Sequence, residues 1–71
     1  MTPETLHDEL LAAHVARDGA RMVALYTQAA DQTEDEDEEM FFLTHAYIFA
    51  LEVGHASAPE LRARLEAAGR I

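Results

Sequence analysis

Two Glu-x-x-His tetrads, Glu4-Thr5-Leu6-His7 and Glu52-Val53-Gly54-His55, are the residues best suited to hold a metal ion. In carboxylate-bridged di-iron bundles such pairs on two helices converge with one further Glu from each of the other two. Placement argues against this chemistry here. The first tetrad opens the first helical segment and the second closes the third. In an up-and-down chain they stand at opposite ends, about 20 Å apart. His7 and His14 are two turns apart, about 10 Å along a helix, and cannot share an ion. Asp31, Thr33 and Asp35 offer alternating oxygens, but the central Gly and the terminal bidentate Glu of a calcium loop are missing. Covalent catalysis is poorly supplied as well. There is no Cys and no Lys, and the one Ser, Ser57, reads as a helix cap. Gly19, Gly54 and Gly69 stand at helix ends, so no glycine-rich phosphate loop exists. The expectation is a non-enzyme with no catalytic residue, no metal and no cofactor.

The rest of the chemistry is charge and apolar surface. In 71 residues, 14 are Asp or Glu and five are basic, all of them Arg, for a formal charge of −9. Direct nucleic-acid binding is not expected, because phosphate neutralisation needs a basic field. Without cysteine there is neither a disulfide scaffold nor a thiolate zinc site. Apolar residues make up 49% of the chain and charged residues 27%, a globular composition with room for one domain, residues 1–71. Met1 to Thr5 lack the basic and apolar regions of a secretory leader. The longest apolar stretch, Met40 to Val53, rises about 21 Å as a helix, short of a bilayer core of about 30 Å. A cytoplasmic protein with no membrane insertion is expected.

Four helices must position these groups. Thr2 and Pro3 suit a helix start, and Leu6, Leu10, Ala13 and Arg17 lie near one stripe, predicting a helix from about Pro3 to Arg17. Asp18-Gly19 is the break: Gly19 is expected to take the left-handed conformation and Asp18 to cap the next helix. Met22, Leu25, Tyr26 and Ala29 then follow i, i+3, i+4, i+7, predicting a second helix from about Ala20 to Asp31. Thr33-Glu34-Asp35-Glu36 matches a capping box at the start of a third helix, which Gly54 ends. Its apolar residues occupy nearly the whole circumference, as in a helix covered on several sides. Ser57-Ala58-Pro59-Glu60 is a second capping box, opening a short fourth helix with Leu61, Leu65 and Ala68 inward and Gly69 closing it.

The second and third helices carry a family likeness. Val23-Ala24-Leu25-Tyr26-Thr27-Gln28-Ala29-Ala30 resembles the second helix of a tetratricopeptide-type unit, where an aromatic packs against small residues three or four positions on. Phe42-Leu43-Thr44-His45-Ala46-Tyr47, followed by Ala50-Leu51-Glu52-Val53-Gly54, resembles the first helix of the next unit. The match spans about Leu10 to Gly54; the chain departs from the pattern in lacking Trp and in placing Thr44 where a small residue is usual. The resemblance implies an all-α fold of four antiparallel helices in two successive hairpins, and partner capture through a concave helical surface.

A hairpin repeat cannot cover its own apolar face, and about three stacked units are usually needed where this chain has room for two. Part of the third helix, or a neighbouring face of the first, is therefore expected to dock on another protein subunit or a second copy. Phe41, Tyr47, Ile48 and Phe49 are the expected anchors, with Glu34, Asp35, Glu36 and Asp37 as a polar steering patch. The alternative is an acidic inhibitor or DNA mimic that blocks a basic site on a partner. Tyr26 and His45 read as core or interface groups, and His14 as a half-buried residue bonded to a neighbour such as Asp18.

Overall fold

The computed structural model describes residues 3–71, with side chains from Thr5 onward; the expected cap at Thr2 lies outside the described residues. The regular elements among them are four helices: α1 (Pro3–Ala16), α2 (Gly19–Gln32), α3 (Glu36–Val53) and α4 (Ala58–Ala67). α1 packs on α2, α2 on α3, and α3 on α4. The molecule is flattened, with extents of 31 × 28 × 13 Å.

Two apolar clusters hold it together. The larger joins α2, α3 and α4 through Val23, Leu43, Leu61 and Leu65, each nearly inaccessible to solvent. Ala30, Ala46 and Ala50 are fully buried between them, so the helix backbones approach closely. The smaller joins α1 to α2 through Ala13, Met22 and Leu25. Tyr26 and Phe49 border both clusters and connect them.

The turns differ from the sequence expectations in three places. Asp18 does cap α2, its Oδ1 accepting the Arg21 amide at 3.0 Å. Gly19, however, is not left-handed; it is the first residue of α2. The left-handed position is Arg17, at φ 55°, with the Asp18 amide returning to the Ala13 carbonyl at 3.0 Å. The expected helix end at Arg17 overlooked that a non-glycine residue can hold this conformation when the six-to-one bond closes over it. Arg17→Gly is therefore expected to stabilise the chain by about 0.5–1 kcal/mol, because glycine takes that conformation without a Cβ penalty. Thermal melting checks it; unchanged or lowered stability means that no strain is held at Arg17.

The second difference is the start of α3. The cap is Asp35, whose Oδ1 accepts from the Asp37 and Glu38 amides at 2.9 and 3.1 Å. Thr33 instead ends α2, its amide bonded to the Ala29 carbonyl, and its hydroxyl donates to Glu38 at 3.0 Å. In a run of six carboxylates several residues can cap, and Thr33, held at the end of α2 by its bond to Ala29, leaves that place to Asp35. The third is Ser57, which stands at the N-cap of α4 but makes no cap bond; its hydroxyl and amide both meet Nδ1 of His55, at 2.8 and 3.1 Å. Gly54 ends α3 in the left-handed conformation, as its place after the apolar run predicts.

Candidate docking face

α3 is apolar on nearly every side, but its neighbours cover only part of it. Residues three, four and seven apart share one face of a helix. Leu43, Ala46 and Ala50 turn inward, Leu43 being 1% exposed. On the opposite side Phe41, Ile48 and Leu51 are 56, 47 and 58% exposed, with Thr44 between them. Thr44 directs its hydroxyl to the Met40 carbonyl at 2.8 Å, which spends its donor inside the helix.

The near end of this stripe is ordered by rings. Phe41 lies 4.3 Å from the half-buried His45 ring and meets Phe42 edge-on at 5.7 Å. His45 Nδ1 donates to the Phe41 carbonyl at 2.9 Å, so one ring nitrogen is satisfied by its own helix. Asp37, Met40, Phe41, Thr44, His45 and Arg70 line an open groove of about 400 Å³ here.

The four expected anchors divide. Phe41 and Ile48 lie on the open face, whereas Tyr47 and Phe49 are half-buried against the core. Phe49 stacks on Tyr26 at 5.9 Å and meets the edge of His14 at the same distance. His14 is exposed, and Asp18, its expected partner, is occupied at the α2 cap. Leu51 on α3 and Leu11 and Val15 on α1 are exposed apolar residues that sequence reasoning missed. Leu51 stands three residues after Ile48 and ten after Phe41, spacing that could have found it. Leu11 and Val15, four apart, lie on the side of α1 away from its buried Ala13.

The four acidic residues expected to steer a partner also divide. Asp35 is used by the helix cap, and Asp37 lies 3.4 Å from Arg70. Glu34 and Glu36 are exposed. Arg64 ties the same region down, reaching Asp31 of α2 at 2.7 Å and Glu39 of α3 at 3.7 Å. The acidic start of α3 also favours its own helix dipole.

Burial pushes the Tyr26 phenol above its ordinary value of 10.0. A raised folded-state value means that the folded chain keeps the proton more tightly than the unfolded one. Stability from this group is therefore complete below about pH 10 and is lost as pH rises through the folded value. Alkaline titration followed by circular dichroism is expected to show stability falling above about pH 10, and Tyr26→Phe is expected to remove that part of the fall. An identical alkaline profile in Tyr26→Phe would assign the loss elsewhere.

No group of three metal-ligating side chains occurs among the described residues, and no helix there is long and apolar enough to cross a membrane. No protein-family model, curated protein or solved structure matches this chain.

Proposed function

We propose that the chain is a non-catalytic protein–protein interaction module, an accessory or assembly subunit that docks through the open apolar face of α3. The observation that carries this reading is the joint exposure of Phe41, Ile48 and Leu51 on one side of a helix whose other side is sealed. Apolar side chains scattered singly over a surface need no explanation, but a contiguous stripe marks an interface. The arrangement proposed for the scaffold is tetratricopeptide-like, two helical hairpins in succession. Supporting it are short turns at 17–18, 33–35 and 54–57, contact between each consecutive helix pair, and the small residues packed where α2, α3 and α4 meet.

A photo-crosslinking amino acid placed at position 48, in the cells that make the protein, tests this reading. The expected result is a covalent adduct of one defined mass from position 48 and none from position 62, on the exposed side of α4. Equal adducts from both positions, or none from either, would remove the docking face. The alternative of an acidic inhibitor rests on the carboxylates at the start of α3, and salt separates the two. Charge-led blocking loses affinity steeply with ionic strength, while an apolar contact depends on it weakly.

A further inference from the structure

We infer that the occupant of the α3 face is a basic amphipathic helix of another protein, an inference that rests on the docking reading above. Asp37 and Glu52 are both exposed and fall on the same side of α3 as Phe41, Ile48 and Leu51. They bracket the apolar stripe, about 22 Å apart along the helix. The length and shape of such a stripe suit a helix lying along it, which presents its own i, i+3, i+4, i+7 anchors. At the near end of the stripe Arg70 stands beside Asp37. Arg21 pairs with Glu9, Arg62 with Glu66, and Arg64 with Asp31 and Glu39, while Arg17 lines the groove at the far end of α3 together with Glu52. Five arginines against 14 carboxylates leave the face in the net negative field of a chain carrying −9.

That charge selects among occupants. Two copies of this chain laid stripe on stripe would bring carboxylates together in either direction. Parallel packing opposes Asp37 to Asp37 and Glu52 to Glu52; antiparallel packing opposes Asp37 to Glu52, and although Arg70 beside Asp37 offsets part of this, each copy brings a net charge of −9. Like charges juxtaposed at an interface suppress that pairing. An anionic membrane surface is repelled for the same reason. A helix with Leu or Ile along one stripe and Arg or Lys beside it meets both features at once. Its cations speed and orient the encounter, and its apolar side chains hold the complex.

The test uses the full chain and three labelled helical peptides of 18 residues, an order of length set by the stripe at 1.5 Å per residue. One has a leucine stripe flanked by Arg, one has the same stripe flanked by Glu, and one has the Arg-flanked composition with its leucines scattered. Fluorescence anisotropy is read at about 50 mM and about 500 mM salt. The Arg-flanked stripe is expected to bind at least about tenfold more tightly than either other peptide and to weaken in the higher salt. The double variant Phe41→Ser/Ile48→Ser is expected to lose that binding at least about tenfold while melting as the parent does. Equal binding of the scattered peptide overturns the inference, since charge alone then suffices. Equal binding of the Glu-flanked stripe, lost in the double variant, overturns the basic partner but leaves the docking face intact. A dimer in sedimentation equilibrium that the double variant disperses replaces the partner with a second copy. Binding of none of the peptides sinks the basic helix, and crosslinking at position 48 then judges the docking face separately.

Discussion

Leu43→Ala is expected to abolish cooperative unfolding of the chain at 25 °C, while Ile48→Ser, five residues further along the same helix, leaves it intact. Leu43 is 1% exposed and belongs to the larger cluster, to which α2 contributes Val23 and Ala30 and α4 contributes Leu61 and Leu65. Truncating such a leucine removes its transfer free energy and leaves a cavity, together about 3–5 kcal/mol. A single core in a chain of this size rarely supplies more than about 3–5 kcal/mol in total. The substitution therefore consumes the whole margin. Ile48 is nearly half exposed, so its loss is held to about 1 kcal/mol or less. Helicity by circular dichroism and a thermal melt separate the two variants. If Ile48→Ser unfolds the protein as Leu43→Ala does, that side of α3 is core, and the docking face loses the residue at its centre. Phe49 belongs with Leu43 in this contrast: stacked on Tyr26 and shared by both clusters, it is expected to unfold the chain as Phe49→Glu.

The contrast explains which parts of the molecule could be read from the sequence. The existence of the four helices follows from local signals that compete with little else: Asp18 as a cap, Gly54 as a left-handed stop, and the periodic Met22, Leu25, Tyr26 and Ala29. The split of the α3 residues into covered and open does not follow. A helix apolar on every side has almost no preferred direction, so periodicity gives Phe41 and Phe49 the same standing. Only the placement of α1, α2 and α4 around it separates them, and that is a tertiary property. The caps show a related ambiguity. Thr33, Glu34 and Asp35 all have side chains able to accept an amide, and the choice of Asp35 depends on where α2 stops, which the Thr33 amide settles through Ala29. Ser57 has the right type and place for a cap but finds a competing partner in His55 two residues back. The acidic run could be read as a surface charge. Its division among a cap at Asp35, a tie between Asp37 and Arg70, and the free Glu34 and Glu36 depends on arginines far along the chain.

Gly19→Ala is expected to destabilise the chain by about 1–2 kcal/mol, although the same change inside a helix normally stabilises by about 1 kcal/mol. Gly19 is the first residue of α2 with no left-handed angle, so its own backbone does not demand glycine. The demand comes from a neighbour: a Cβ at this position would overlap Cγ1 of Val53, the last residue of α3. A valine in a helix strongly prefers one χ1 rotamer, so its methyl cannot simply swing aside. Relief requires the α1–α2 turn and the end of α3 to separate, which loosens the groove where Ala13, Met22 and Phe49 meet. Val53→Ala removes the obstructing methyl and, because Val53 is about half exposed, lowers stability by less than about 1 kcal/mol. In that background Gly19→Ala is expected to become neutral or stabilising by up to about 1 kcal/mol, as ordinary helix propensity then governs it. The cycle of two single variants and the double variant measures the coupling directly, with an expected size of about 1.5 kcal/mol or more. Stabilisation by Gly19→Ala with Val53 still in place would show that the two helix ends stand further apart than a methyl group, and the close approach assigned to this turn would fall.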